Sequence, residues 1–193
     1  MNKEYLILKL NNIENAKRIN RLQVANLVLK NKILFKYLLE IAFEFDNKLS
    51  IKAAWVLEFV CEKKLHWLSP HLSYFTKNIN KIKFESALRP IAKICGFMAE
   101  HYAGKHKSKI PITNTHIERL IEAGFDWLID KHKVAVKVYT MEMLFLFGKN
   151  YNWVHKELQL ILQKNIVNES PAYQARGKKI LRWINQNKVK NLG

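Results

Sequence analysis

The amino-acid sequence predicts an all-α fold built from repeated helix pairs, and three observations support this prediction. Apolar residues recur at the i, i+3, i+4 and i+7 spacing of amphipathic helices over almost the whole chain. Turn signals separate these stretches at short intervals, and no alternating strand pattern interrupts them. A group of residues in the first half of the chain also recurs about 85 residues later.

The predicted helices share this apolar periodicity and cover residues 33–45, 51–63, 86–102, 117–129, 134–147, 157–162 and 172–183. Two Ser-Pro pairs, at residues 69–70 and 170–171, match an N-cap serine followed by proline at the first helical position. Residues 115–118 match a capping box, and Gly104 and Gly148 stand where helices are expected to end.

The internal repeat relates residues 54–60 to residues 138–144, so that Glu58 corresponds to Glu142. Shortly after each stretch an aromatic residue returns, with Trp67 corresponding to Trp153. An offset of about 85 residues is twice ~42, a length typical of one helix–turn–helix repeat. An aliphatic residue followed by a base also stands near the start of four predicted helices, at residues 51–52, 88–89, 136–137 and 175–176.

Composition predicts one globular domain over residues 1–193, with about the last six residues frayed. Apolar residues make up 49% of the chain, which excludes low-complexity disorder. No apolar run approaches the roughly 20 residues of a membrane span. The first residues do not form a signal peptide, so we expect a soluble cytoplasmic protein.

The chain is strongly basic, with 33 Lys+Arg against 16 Asp+Glu and a formal charge of +17. Lysine supplies 27 of these bases and arginine only 6, alongside 18 asparagines. Because arginine is the base that grips phosphate and guanine bidentately, this bias is typical of compositional drift rather than of nucleic-acid recognition. The net charge nevertheless attracts polyanions, so a basic binding surface and a solubilising coat both stay open.

Cysteine and histidine give no sign of a metal centre. Cys61 and Cys95 stand in apolar helical contexts, where buried free thiols are expected. The histidine pairs at 66 and 71 and at 101 and 106 do not have the i,i+4 spacing of a helical zinc pair. The sequence therefore predicts no metal, no cofactor and no catalytic residue.

Residues 50–58, Ser-Ile-Lys-Ala-Ala-Trp-Val-Leu-Glu, and Asp130 followed by residues 134–137 resemble the aliphatic-basic helix start of HEAT repeats. The resemblance extends over residues 13–187. It implies a right-handed α-solenoid of about five HEAT-like helix pairs, whose inner helices carry the aliphatic-basic residues and line a concave groove. The chain is also similar to short bacterial HEAT-like proteins sometimes labelled adenylosuccinate lyase, but it lacks the Ser-Ser-x-Met-Pro-x-Lys-x-Asn loop of true lyases.

The resemblance implies that side chains of both charges line this groove. The predicted groove residues are Trp55, Glu58, Glu62, Arg89, Lys93, Tyr139 and Glu142, and the last pair adds Arg176, Lys179 and Arg182. One interpretation is a structural ladder, in which carboxylates on one inner helix pair with bases on the next. The other is recognition of an extended charged partner, and both can hold together.

An enzymatic alternative comes from a distant similarity to HEAT-like alkylation-repair DNA glycosylases. Trp55 with Glu58, and Trp127 with Asp130, place a ring and a carboxylate three positions apart on a helix. Such a pair would attract a cationic nucleobase through charge and cation–π contact. Packing is the more usual role of both tryptophans, in the core for Trp55 and on an outer helix for Trp127.

A lysine-rich loop is the last candidate. The spacing between the second and third aliphatic-basic pairs is about ten residues longer than its neighbours, which is where function is often added to a repeat protein. The excess contains Lys105, Lys107 and Lys109, which either contact phosphate or belong to a solvated loop.

Together these observations predict a non-enzymatic HEAT-like binding or scaffold module that recognises a protein segment or another acidic partner through its groove. The alternative is a nucleic-acid-binding protein related to the alkylated-base glycosylases. The oligomeric state is left open.

Overall fold

The computed structural model describes residues 1–105 and 110–190, and of residues 187–190 the backbone alone. All regular structure in these residues is helical, which confirms the predicted all-α class. The chain divides into two compact units, Met1–Phe97 and Met98–Gly193. Whether both form one domain, as the sequence predicts, stays a prediction. None of the described helices combines the length and the apolar character that crossing a bilayer requires.

The first unit contains α1 (Lys3–Asn11), α2 (Arg18–Lys30), α3 (Leu34–Ala42), α4 (Leu49–Lys64), α5 (Leu72–Asn78) and the start of α6 (Glu85–Tyr102). Two short 3-10 segments, Leu65–His71 and Ile79–Lys81, flank α5. The sequence predicts α3, α4 and α6 but misses α1, α2 and α5. In α1 and α2, lysine and asparagine residues break up the apolar stripe on which the prediction depends.

Helix α4 is the centre of the first unit, because it packs against α1, α2 and α3. Ala53 and Ala54 are fully buried near its start, where small side chains let neighbouring backbones approach closely. Leu57 and Val60 follow on the same helix and are also fully buried. Burying a side chain of this size stabilises the fold by about 1.5–3 kcal/mol. The helix predicted over residues 51–63 therefore supplies the core of the first unit.

The second unit contains α7 (Asn114–Ile129), α8 (Val134–Gly148), α9 (Asn152–Asn165) and α10 (Pro171–Lys190), preceded by the end of α6. Helix α8 packs against α7, α9 and α10, so it holds the central position in its unit that α4 holds in the first. The predicted match between residues 54–60 and 138–144 thus relates two equivalent helices.

The second half of the predicted repeat is wrong. Trp67 lies in a 3-10 segment with 8% of its surface exposed, whereas Trp153 lies near the start of α9 with 55% exposed. The two tryptophans are the same residue type in different environments. The chain after α4 forms a 3-10 segment, whereas the chain after α8 starts a regular helix.

Two of the predicted helix boundaries are confirmed. Helix α10 starts at Pro171, and the Tyr173 amide donates a hydrogen bond of 3.5 Å to the hydroxyl of Ser170. Gly104 follows α6 with φ +74°, the left-handed conformation that favours glycine at this position.

Two other predicted helix starts are wrong. The Ser-Pro pair at residues 69–70 lies inside a 3-10 segment, and α5 begins only at Leu72. The capping box of α7 is formed by Thr113, two residues before the predicted threonine. His116 takes the place of the usual glutamate, and its Nδ1 accepts a hydrogen bond of 3.2 Å from the Thr113 amide.

Alanine substitutions at two glycines are expected to change stability in opposite directions. A Cβ at Gly148 would lie 2.0 Å from Cδ2 of the buried His155, so Gly148→Ala should cost about 1–3 kcal/mol through overpacking. A Cβ at Gly96, inside α6, meets no atom within 4 Å, so Gly96→Ala should add about 0.5–1 kcal/mol of helix stability. Urea unfolding of both variants measures the difference, and a loss at both positions would contradict it.

His116 is expected to make stability depend on pH. Burial lowers the pKa of His116, and the nearby Arg119 lowers it further. The unfolded chain therefore takes up a proton below about pH 6.5 more readily than the folded chain, so the free energy of unfolding falls as the pH drops through this range. His71, also desolvated, acts in the same direction.

His116→Gln should keep an acceptor for the Thr113 amide and remove the titration. Urea unfolding between pH 5 and pH 7 should then show a shallower dependence in the variant than in the natural chain. Equal slopes would contradict the assignment.

Candidate binding site

The first unit buries one carboxylate, that of Glu58 on α4, with 3% of the residue exposed. Its Oε2 accepts a hydrogen bond of 3.0 Å from Nη2 of Arg89, and its Oε1 accepts one of 2.9 Å from Nζ of Lys93. Both bases lie four residues apart on α6, so they project from one face of that helix towards α4. The predicted pairing of a carboxylate on one helix with bases on the next is therefore present.

Two further arginines from α2 lie on the same side of α4. The guanidinium carbons of Arg18 and Arg21 lie 4.9 Å and 5.1 Å from the ring centroid of Phe59. The guanidinium of Arg21 also lies 5.9 Å from the ring centroid of Trp55. These distances are within the range of cation–π attraction, so the two rings hold the arginines in place.

We call Arg18, Arg21, Arg89 and Lys93, gathered around Glu58, the cation cluster. Arg89 and Lys93 pair with Glu58, Arg21 interacts electrostatically with it, and Arg18 lies beside Arg21. The cluster contains three of the six arginines of a chain whose bases are mostly lysine. A composition that drifts towards lysine does not by itself gather arginines at one place. The cluster is thus a local exception to the overall bias.

The surroundings of Arg21 also show that positive charge exceeds negative charge in the cluster. Its Nε is buried and has no hydrogen-bond acceptor in the protein. Burial lowers the pKa of Arg21, and although Glu58 raises it, Arg89 and Arg18 lower it further. A buried donor without an acceptor is costly, so this Nε is an unmet hydrogen-bonding group inside the cluster.

The ring of Trp55 is fixed by its own hydrogen bond. Its Nε1 donates to the carbonyl of Ser86 at 3.0 Å, which ties α4 to the start of α6. The indole is therefore a rigid wall of the cation cluster, because the hydrogen bond restricts its rotation.

The second unit repeats the ladder with fewer charges. Glu142 on α8 accepts a hydrogen bond from Nη1 of Arg176 on α10, which matches the bond between Glu58 and Arg89. Lys137, with 8% exposed, donates to Glu169 at 2.9 Å and lies over the ring of Tyr173. Here each base is matched by one carboxylate, so the excess of positive charge seen around Glu58 is not repeated in these pairs.

The structure brings together only some of the predicted groove residues. Trp55, Glu58, Arg89 and Lys93 share one site, whereas Glu62 lies one turn further along α4 and is exposed. In the second unit, Glu142 and the half-buried Tyr139 lie on α8, and among the basic residues of α10 Arg176 reaches Glu142, while Lys179 and Arg182 are exposed. Whether these residues bind a partner stays a prediction.

The predicted lysine loop is described only at its first residue. Lys105 is exposed and lies 3.5 Å from the carboxylate of Glu100. Lys107 and Lys109 lie outside the described residues.

Sequence reasoning missed Arg18 and Arg21 because it did not predict α2. The rarity of arginine was the available signal, since two of the six arginines stand three residues apart at the start of this helix.

The two tryptophan–carboxylate pairs predicted from the sequence are poorly placed to bind a cationic nucleobase. Both oxygens of Glu58 already accept bonds from the protein's own bases, and Arg21 already lies over Trp55. Trp127 is buried in the second unit with 3% exposed, whereas Asp130 is an exposed residue at the C-terminal end of α7. The burial of Trp127 agrees with the packing role expected from the sequence.

The two cysteines are buried free thiols, as predicted. Burial raises the pKa of both Cys61 and Cys95 well above the usual range, so neither forms a thiolate easily near neutral pH. Within residues 1–105 and 110–190 no three His, Cys, Asp or Glu side chains come together as metal ligands would.

Two helices, α4 and α8, that match in sequence and hold equivalent central positions in their units are typical of an α-helical repeat protein. A family model described as HEAT repeat domain matches residues 8–184, well over half of the chain, and the chain therefore belongs to the HEAT repeat family. With this match the α-solenoid class predicted from the sequence is confirmed.

No curated protein and no solved structure matched the chain. The expected similarity to short bacterial proteins labelled adenylosuccinate lyase, or to DNA glycosylases, thus finds no support.

Glu58→Gln is expected to destabilise the first unit by about 1–3 kcal/mol, because the substitution leaves Arg89, Lys93 and Arg21 without their shared counter-charge. Glu62→Gln is the matched control on the same helix, and since Glu62 is exposed its effect should stay within about 0.5 kcal/mol. Urea unfolding at low salt compares the two. Equal effects would show that Glu58 does not hold the cluster together.

Proposed function

We propose that this chain is a non-enzymatic HEAT-repeat binding module that recognises an acidic segment of a partner protein through the cation cluster of its first unit. HEAT repeats commonly mediate protein interactions, which supports a protein as the partner. The cytoplasmic location expected from the sequence remains part of this proposal.

The observation that carries the proposal is the imbalance of charge around Glu58. One buried carboxylate orients Arg89 and Lys93, and the arginines of α2 add two more positive charges. The side chain of Arg89 is 33% exposed, so it can reach a second carboxylate while it keeps its bond to Glu58. Arg18 is exposed and is also available to an incoming ligand.

The chemistry of the cluster favours carboxylates. Arginine presents a planar fork of N–H donors that matches a carboxylate bidentately, and it keeps its charge at all physiological pH values. Trp55 and Phe59 form an apolar wall beside the arginines, which excludes water and strengthens the charge-assisted hydrogen bonds. A peptide carrying glutamate or aspartate would use both features.

Nucleic acid is the competing partner, and its support is the formal charge of +17. Binding to a duplex requires a row of bases that follows the phosphate backbone. The cation cluster instead concentrates its charge at one site and places a carboxylate at its centre. This geometry fits a short acidic segment better than a long phosphate track.

Fluorescence anisotropy with a labelled eight-residue Glu/Ala peptide tests the proposal. The double variant Arg18→Gln/Arg21→Gln should weaken binding at least tenfold, a typical loss when charged partners are removed from an interface. The double variant Lys30→Gln/Lys77→Gln removes the same charge from exposed positions of the first unit and should change the affinity less than about twofold.

Equal losses in the two double variants would show that only the net charge attracts the peptide. Tighter binding to a duplex DNA of 20 base pairs than to the peptide, with a steep salt dependence, would instead favour the nucleic-acid alternative. Circular dichroism of each variant confirms that it is folded before its affinity is compared.

A further inference from the structure

The second unit contains a pocket of about 280 Å³ beside the ladder of ion pairs. It is lined by Lys105, Glu142, Phe145, Leu146, Lys149, Trp183 and Gln186. Pockets that hold a whole small-molecule ligand usually measure about 300–1,000 Å³. This pocket is near the lower end of that range and has room for one large side chain of a partner.

Two aromatic rings give the pocket an apolar wall. The ring centroids of Phe145 and Trp183 lie 5.2 Å apart at an interplanar angle of 39°. Trp183 is half-buried on α10, so part of its ring is open to an incoming group. A further aromatic ring placed against the open part of Trp183 would form an offset or edge-to-face pair, an arrangement that aromatic rings prefer.

The position of Phe145 is fixed from behind by the buried His155. The two rings stack at a centroid distance of 5.2 Å and an angle of 17°, and Nε2–H of His155 donates to the Phe145 carbonyl at 2.8 Å. Gly148 leaves room for this imidazole, because any Cβ there would overlap it. A wall that is already ordered does not lose entropy when a ligand arrives, so the pocket is preorganised.

Positive charge surrounds the rings. Nζ of Lys149 lies 5.6 Å from the Phe145 centroid, and Nζ of Lys179 lies 4.6 Å from the Trp183 centroid. Lys105 also lines the pocket, but its Nζ lies 3.5 Å from the carboxylate of Glu100, so its charge is already paired. The carboxylate of Glu142, which also lines the pocket, is engaged by Arg176, so it does not cancel this charge.

We infer that this pocket holds one aromatic side chain of the partner, and that the residues flanking that side chain in the partner are acidic. The apolar rings select the aromatic group, and Lys149 and Lys179 beside the rings select its acidic neighbours. The inference rests on the proposed function for the class of partner, an acidic protein segment. It adds that the second unit has a site of its own for acidic segments that carry an aromatic residue.

Two labelled peptides test the inference by anisotropy: the Glu/Ala peptide used above and the same peptide with one central Ala replaced by Phe. The natural chain should bind the Phe peptide at least tenfold more tightly, the effect of one aromatic anchor residue at an interface. Trp183→Ala should reduce this ratio to near one while it leaves the affinity for the Ala peptide unchanged.

Trp153→Ala is the matched control, because Trp153 is an exposed tryptophan of the same unit that stacks on Phe125 instead. It should keep the full preference for the Phe peptide. Trp183→Phe preserves an aromatic ring and should keep part of the preference, which separates loss of the ring from loss of folding.

Equal affinities of the natural chain for the two peptides would overturn the inference, as would a preference that survives Trp183→Ala. In both cases an affinity for the Ala peptide that depends on Arg18 and Arg21 leaves the proposed function standing. Conversely, a preference for Phe that depends on Trp183, without any dependence on the two arginines, supports the pocket and contradicts the cation cluster. If neither peptide binds, both proposals fail.

Discussion

The burial of the Glu58 carboxylate on α4 is the constraint on which the first unit depends. A carboxylate with 3% of its residue exposed is tolerated only when its charge is compensated and its oxygens accept hydrogen bonds. Arg89 and Lys93 meet both requirements, and they bring α6 against α4 in a fixed register. Because the compensation exceeds one charge, the same interaction that orders the helices also creates a surface that attracts anions.

The second unit has the same kind of ion pairs between helices, but among the described residues these pairs carry no surplus of positive charge. Glu142 pairs with Arg176 and Lys137 pairs with Glu169, so in these pairs each charge has one partner. The distinctive feature of this unit is instead the aromatic pair Phe145 and Trp183, which lines a pocket. Equivalent central helices therefore support different surfaces, because the residues on the neighbouring helices differ.

The sequence predicted the helices whose apolar stripes are unbroken, and it predicted the residues of α4 and α6 that form ion pairs. It missed α2, since that helix gains its stability from packing against α4 rather than from its own periodicity, and with it Arg18 and Arg21 were missed. The pocket beside Trp183 was also beyond prediction. It depends on the stacking of His155 on Phe145, a contact across ten residues that no local pattern encodes.

The placement of the tryptophans has an optical consequence. Trp55 lies beside a guanidinium in the first unit and Trp183 lies beside an ammonium in the second, and both rings are partly exposed. Trp67 and Trp127 are buried away from these sites. The protein thus contains an intrinsic fluorophore at each candidate site, and the emission of each indole reports on the charge beside it. A variant that keeps Trp55 or Trp183 as its single tryptophan would change its emission when a partner contacts that unit.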